Sequence, residues 1–198
     1  MSATSAPFGL RPIGRLDNGS LEVFRQYPIA SGYATNIVMG DVVELTDNGS
    51  TTTITKQTAT GDGSVIDIVG IFVGCKYTDP NTKQLIFSQL WPASTVASDA
   101  MAYVVDDPQV LFAIQGNAAP SDVGDVYGKN APLVQTAPNT ELKISRVSVD
   151  ITNISASSTD DPLRIIDYLG GNQGDEVGTA FPIFVCKFNY HQHTQTGS

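Results

Sequence analysis

The stretch 63–116 constrains the fold more than any other part of this sequence. It contains four apolar runs, at residues 66–75, 85–91, 101–105 and 110–115, which are divided by clusters of turn-forming residues. β-branched and aromatic residues fill the runs, and the first is too short to cross a membrane but dense enough for a strand buried on both faces. The pattern predicts antiparallel strands, with a chain reversal at 79–82, where proline and asparagine favour a turn.

The remaining sequence continues the pattern of short strands and turns. Asn48-Gly49 is a hairpin signal between a strand at 42–45 and a threonine-rich strand in which Ile54 faces inward. Further strands are predicted from residue 21 onward and at 36–39, 141–151, 163–170 and 181–193, the last with Phe184, Cys186 and Phe188 on one face. About ten short strands predict an all-β fold, an antiparallel β-sandwich or a barrel of jelly-roll-like form.

Two domain-level regions are expected: an extended N-terminal arm at residues 1–20 and a single β-rich domain at residues 21–198. Proline and glycine in the arm exclude a helix, and Arg11 and Arg15 precede its first acid, Asp17. The apolar side chains of such an arm pack either on their own domain or on a neighbouring protein. Within the domain, 116–140 is predicted as a long loop with at most a helical turn near 121–126.

Charge and hydropathy restrict the partners of the chain. Only 16% of the residues are charged, and the net charge is −9. Binding to the phosphates of a nucleic acid requires clustered lysine and arginine. Direct binding to nucleic acid is therefore not expected. The first 15 residues lack the apolar segment of a signal peptide, and no run is long enough to span a bilayer, so membrane insertion is not expected either.

No residue pattern predicts an active site, a metal site or a cofactor. His191 and His193 would share one face of a strand, but no cluster of Cys or His offers a third ligand, so a structural or exposed role is favoured. Asp62 lacks the alternating ligands of a calcium loop. The acid pairs at 106–107 and 160–161 precede proline and are explained by turn initiation. The chain is predicted not to be an enzyme, and a hydrolase that uses His191 and a carboxylate is the least favoured reading.

The two cysteines are predicted to be buried free thiols. Cys75 and Cys186 each lie inside an apolar run, where a free thiol behaves as a small hydrophobic side chain. A disulfide stays open as an alternative only if their strands are neighbours, with Cα atoms about 5.5 Å apart.

Several segments resemble the small head proteins of tailed bacteriophages, in particular podovirus-like phages of marine and freshwater bacteria, cyanobacteria included. The segments that carry the resemblance are APFGLRPIGRLDNG from residue 6, YPIASGYATNIVMGDVVEL from 27, GIFVGCKYTD from 70, FSQLWP from 87, AYVVDDPQVLFAIQ from 102 and VCKFNYHQH from 185. They extend from near the beginning to near the end of the chain. None of them is a motif with a catalytic mechanism.

The resemblance implies a structural virion protein, a capsid decoration or cement protein that binds the outside of the phage head. Such a protein is made in the host cytoplasm, contacts the major capsid protein and is expected to be a homo-oligomer, with a trimer favoured. Its many copies would stabilise contacts between capsid subunits through multivalency. The alternative is a carbohydrate- or receptor-binding β module of a phage tail or surface fibre, which the weakly charged surface, rich in threonine and asparagine, also permits.

Under this reading the arm is expected to supply the contacts. Apolar anchors and arginines are enriched at the centres of protein interfaces. The residues expected to contact the capsid or an adjacent protomer are Phe8, Leu10, Arg11, Pro12, Ile13 and Arg15. Deletion of residues 1–16 is expected to weaken attachment to the head without unfolding the domain.

Overall fold

The computed structural model describes residues 4–20, 24–47, 49–120, 126–156, 159–169 and 179–194. Within these ranges the chain forms strands, turns and loops and no helix. The strands pair in antiparallel sheets that pack together, an arrangement consistent with a β-sandwich. The all-β prediction is therefore confirmed.

The first sheet has five strands, and each pairs antiparallel with its neighbours. Their order is β1 (Arg11–Arg15), β10 (Val110–Gln115), β15 (Ile183–Phe188), β14 (Leu163–Tyr168) and β11 (Asn130–Ala131). In β15 the side chains of Phe184, Cys186 and Phe188 are buried and the residues between them are half-buried, as the period-two pattern predicts.

The second sheet has six strands. Their order is β2 (Arg25–Pro28), β9 (Met101–Val105), β6 (Gly70–Thr78), β4 (Val42–Asp47) and β5 (Thr52–Lys56), with β7 (Leu85–Ser88) beside the second half of β6. A parallel bridge between Ile29 and Ile54 brings the chain after β2 next to β5, so the sheet curls towards a closed barrel. Two short pairs complete the fold: β3 (Ile37–Val38) with β8 (Leu90–Trp91), and β12 (Leu133–Val134) with β13 (Ser148–Val149).

Two apolar clusters form the interior. The larger lies against the first sheet and includes the buried side chains of Leu10, Phe112, Tyr168 and Phe184. The smaller fills the curled second sheet, and its members include Ile54, Phe72, Cys75 and Trp91. Each large side chain that is fully buried contributes about 1.5–3 kcal/mol of transfer free energy, so these clusters dominate the stability of the fold.

The predicted turns are confirmed where the structure describes them. Asp79 Oδ1 accepts hydrogen bonds from the backbone N of Asn81 at 2.7 Å and of Thr82 at 2.8 Å, which closes the reversal between β6 and β7. β4 and β5 pair as the predicted hairpin, and the side chain of Ile54 on β5 is buried in the smaller apolar cluster. Asn48, residues 21–23, residues 121–125 and the predicted loop at 172–178 lie outside the described residues.

The strand predicted at 141–151 is wrong for most of its length. Only Ser148–Val149 forms a strand, and residues 141–143 are a turn. The side chain of Asn139 accepts a hydrogen bond from Leu142 N at 2.9 Å, and the backbones of Asn139 and Ile144 bond to each other in both directions. This local turn competes with strand extension, as asparagine side chains often do.

Candidate functional site

The structure places the second half of the predicted arm in the first sheet. Residues Arg11–Arg15 form β1, which pairs with β10 from Val110 to Ala113. Leu10 is only 1% exposed and belongs to the larger apolar cluster, while Ile13 is 40% exposed. The sequence allowed the apolar side chains of the arm to pack either on their own domain or on a neighbouring protein. Leu10 packs on its own domain.

A close backbone contact fixes the position of the arm beside residue 40. Leu10 N donates to Gly40 O at 3.0 Å. Gly9 has φ +73°, and a Cβ atom on it would lie 2.5 Å from both Gly40 O and the Ser145 Cβ. A larger residue at position 9 would displace the arm, because real Cβ contacts are never that short and the conformation favours glycine.

The buried side chain of Gln115 ties the beginning of the arm to the end of β10. Its Oε1 accepts a hydrogen bond from Ala6 N at 2.9 Å. Its Nε2 donates to Thr4 O and to Phe181 O, each at 3.2 Å. The described part of the arm is therefore a fixed element of the surface.

β1 is the outer strand of its sheet, and its sequence discourages pairing with a further strand. Pro12 has no N–H to donate, and a register shift between Pro12 and Gly14 distorts the edge. Arg15 at its end bonds to Asp17 at 2.8 Å and to Asp107. The guanidinium of Arg15 is thus neutralised by its own chain.

The arm lines a cleft of about 710 Å³. Its lining includes residues 5–8 and Arg11 of the arm, residues from the segment 139–146 before β13, and Ser148 at the beginning of β13. Phe8 lies beneath the Arg11 guanidinium, whose carbon is 4.6 Å from the ring centroid. Arg146 and the exposed Leu142 also line the cleft. We call this feature the arm cleft.

The outer face of the second sheet exposes apolar side chains. Along β7, Leu85 and Phe87 point away from the core, and Phe87 is 67% exposed. In register, Phe87 lies next to Lys76, which lies next to Met101 on β9. At the far side Phe24 packs edge-on against Tyr103, with ring centroids 5.3 Å apart. The apolar face is defined here as Phe24, Leu85, Phe87, Met101 and Tyr103.

A polar cluster around Asp106 anchors the C-terminal segment. The buried carboxylate accepts a hydrogen bond from Tyr27 OH at 2.5 Å and lies 3.2 Å from His193 Nε2 and 3.4 Å from the Arg25 guanidinium. Burial and the bond to Asp106 raise the pKa of Tyr27 to about 12. The side-chain amide of Gln192 bonds to both backbone groups of Leu45 at 2.8 and 3.2 Å, which holds the segment against β4.

This cluster has the geometry of a structural anchor. A cavity of about 320 Å³ beside it is lined by two arginines, two aspartates, Pro108 and His193, with no serine, threonine or cysteine among the described residues that line it. The sequence analysis named His191 as the histidine that a hydrolase would use with a carboxylate. In the structure the histidine that contacts a carboxylate is His193, and the carboxylate is that of Asp106. The two histidines lie in a turn with ring centroids 5.2 Å apart, not on the predicted strand.

We expect the stability of the protein to fall between pH 6.5 and pH 4 because of His191. Burial, with a smaller effect of His193, lowers the pKa of His191 from 6.5 to about 4. The unfolded chain binds a proton in this range and the folded chain does not, so the stabilisation is complete above pH 6.5 and is lost as the pH falls towards 4. Urea unfolding of wild type and of His191→Gln at several pH values measures this; equal pH slopes would contradict it.

The cysteines are buried free thiols, as predicted. Cys75 lies in the smaller apolar cluster and Cys186 in the larger. Burial raises the pKa of Cys75 to about 12 and also raises that of Cys186. Neither thiol has the thiolate character that a nucleophile needs.

We expect a thiol reagent such as Ellman's reagent to leave the native protein unmodified within minutes and to titrate both cysteines in denaturant. The reason is that only the accessible thiolate reacts, and both groups are buried. Rapid modification of one thiol in the native state would contradict this, and Cys75→Ala would then show which thiol reacts.

Comparisons with known proteins give no match: no protein-family model, no curated protein and no solved structure matches this chain. Among the described residues, no group of three or more His, Cys, Asp or Glu side chains could hold a metal ion. The same residues include no helix that is long and apolar enough to cross a membrane.

Proposed function

We propose that this chain is a structural virion protein that decorates the outside of a tailed-phage head and stabilises contacts between its major capsid subunits. The observation that carries the proposal is the apolar face, where Leu85 and Phe87 on β7 and Phe24 directly before β2 are each more than half exposed. Exposed apolar groups gathered on one face mark surfaces that bind other proteins. The resemblance of the sequence to phage head proteins supplies the identity of the partner.

The rigid scaffold supports the same proposal. Apart from Phe24, which precedes β2, the residues of the apolar face lie on paired strands, and contacts of Gly9 and Gln115 hold the described part of the arm. A surface that is ordered before binding loses little conformational entropy on association. Repetition over many capsid sites would turn one modest contact into strong retention, and a homotrimer would increase this effect further.

The expected test result is that the purified chain co-sediments with phage heads that lack it and that Phe87→Ser weakens this binding by at least about tenfold, as loss of a central apolar anchor does. Val96→Ser is the matched control, because Val96 is 66% exposed but lies in the loop before β9. An equal loss with both variants, or binding that is unchanged by Phe87→Ser, would contradict a role for the apolar face.

A glycan array separates this proposal from the carbohydrate-binding alternative. Aromatic rings at the surface, such as the exposed Phe24 and the half-buried Tyr103, are also the groups on which sugars stack. A decoration protein binds heads and leaves the array empty. Binding to glycans together with no binding to heads would overturn the proposal in favour of a tail or fibre module.

A further inference from the structure

Two arginines that line the arm cleft, one from the arm and one from the segment before β13, have no acidic partner among the described residues. Arg11 and Arg146 are both exposed and both line the cleft, and neither takes part in an ion pair with another described residue. Arg15 and Arg25, by contrast, bond to aspartates. The cleft therefore holds positive charge that its own described surroundings do not neutralise.

This charge stands out against the rest of the chain. The net charge is −9, with 20 acidic and 11 basic side chains. A concave surface concentrates the field of the charges that line it, so the cleft is a place where an anion is attracted to an otherwise acidic protein. Guanidinium groups bind carboxylates through paired, charge-assisted hydrogen bonds.

The remaining lining is suited to a peptide. Phe8, Leu142 and Ile144 offer apolar contact, while Thr136 and Asn139 offer polar groups. At about 710 Å³ the cleft lies in the size range of sites that enclose a small ligand, and it has room for a few residues of extended chain. The net charge of the protein repels a long polyphosphate, which carries many charges, more strongly than a short acidic segment, and an apolar side chain of such a segment also fits the apolar part of the lining.

We propose that the arm cleft binds an extended acidic peptide segment of a partner protein. Arg11 and Arg146 hold its carboxylates, and an apolar side chain of the segment packs on Phe8 and Leu142. The arm then forms part of the binding site for the partner and does not itself extend into the partner. That the partner is a capsid protein rests on the proposed function. Binding of acidic peptides is a property of the purified chain and does not depend on that function.

The test is a selection from a random library of short displayed peptides on the immobilised wild-type chain. We expect the enriched peptides to contain more Asp and Glu than the starting library. Their affinity falls by at least about tenfold for the Arg11→Ser/Arg146→Ser double variant, because two charge-assisted contacts are removed. The affinity also falls with added salt.

The control is Arg164→Ser/Lys187→Ser, which removes the same charge from neighbouring positions of β14 and β15 away from the cleft; it leaves the affinity unchanged. No enrichment, enrichment without acidic residues, or equal binding by the Arg11→Ser/Arg146→Ser variant would overturn the proposal. Arginine-dependent binding of a sulfated oligosaccharide or a short oligonucleotide in place of peptides would overturn it as well. None of these outcomes depends on phage heads, so a failure here is distinct from a failure of the decoration function.

Discussion

Lys56→Met is expected to lower the free energy of unfolding by about 3–5 kcal/mol, because it leaves a buried carboxylate without its counter-charge. Lys56 Nζ lies 2.8 Å from Asp41 Oδ2, and the two side chains are 8% and 0% exposed. Asp41 Oδ2 also accepts a hydrogen bond from Val38 N at 3.0 Å, while Oδ1 has no hydrogen-bond partner among the described residues. The carboxylate therefore depends on Lys56.

The double variant Asp41→Asn/Lys56→Met is the matched control. The amide keeps an acceptor for Val38 N but has no charge to be neutralised, so we expect it to recover most of the lost stability. Trp91, the single tryptophan, is fully buried, and its fluorescence reports urea unfolding. A Lys56→Met variant within about 1 kcal/mol of wild type would show that this pair is not a buried ion pair in solution.

Leu10→Ala is expected to cost about 2–5 kcal/mol of stability, the range for a fully buried leucine. Ile13→Ala, three residues further along the same segment, is expected to change stability by no more than about 0.5 kcal/mol, because Ile13 is 40% exposed. The contrast measures whether the arm is part of the fold. Equal small effects of the two variants would show that the arm is detached in solution.

The position of Leu10 also changes the expected result of truncation. Deletion of residues 1–16 removes Leu10 from the larger cluster and β1 from the first sheet. We therefore expect the truncated chain to unfold more easily, in contrast to the sequence-based expectation of an intact domain. Exposed positions such as Arg11 and Ile13 are the ones at which the arm can be altered without this effect.

The sequence predicts the strands whose burial pattern and turn residues agree. Met101–Val105 and Val110–Gln115 are found at the predicted residues. The sequence predicts strand boundaries less well where buried residues do not pair with a neighbouring strand. Ile66 and Ile68 are buried, but β6 begins only at Gly70. Apolar periodicity reports which residues leave water, and it does not report which backbone groups meet in a ladder.

The candidate site was harder to predict because its parts are distant in sequence. The sequence singles out the arm residues Phe8 and Arg11, but Arg146, which lines the same cleft, lies in a segment whose sequence predicts a strand. Gln115, which fixes the arm, carries no distinguishing sequence signal. Asp106 was explained as a turn residue, and only the fold brings Tyr27 and His193 to it.

The most direct test of the decoration proposal is a cryo-electron microscopy reconstruction of the native phage particle at a resolution that distinguishes sheets. We predict that the two-sheet density of this chain lies on the outer surface of the head, with its apolar face or arm cleft against capsid subunits. Absence of the chain from purified particles, or its location in the tail or inside the shell, would contradict the proposal.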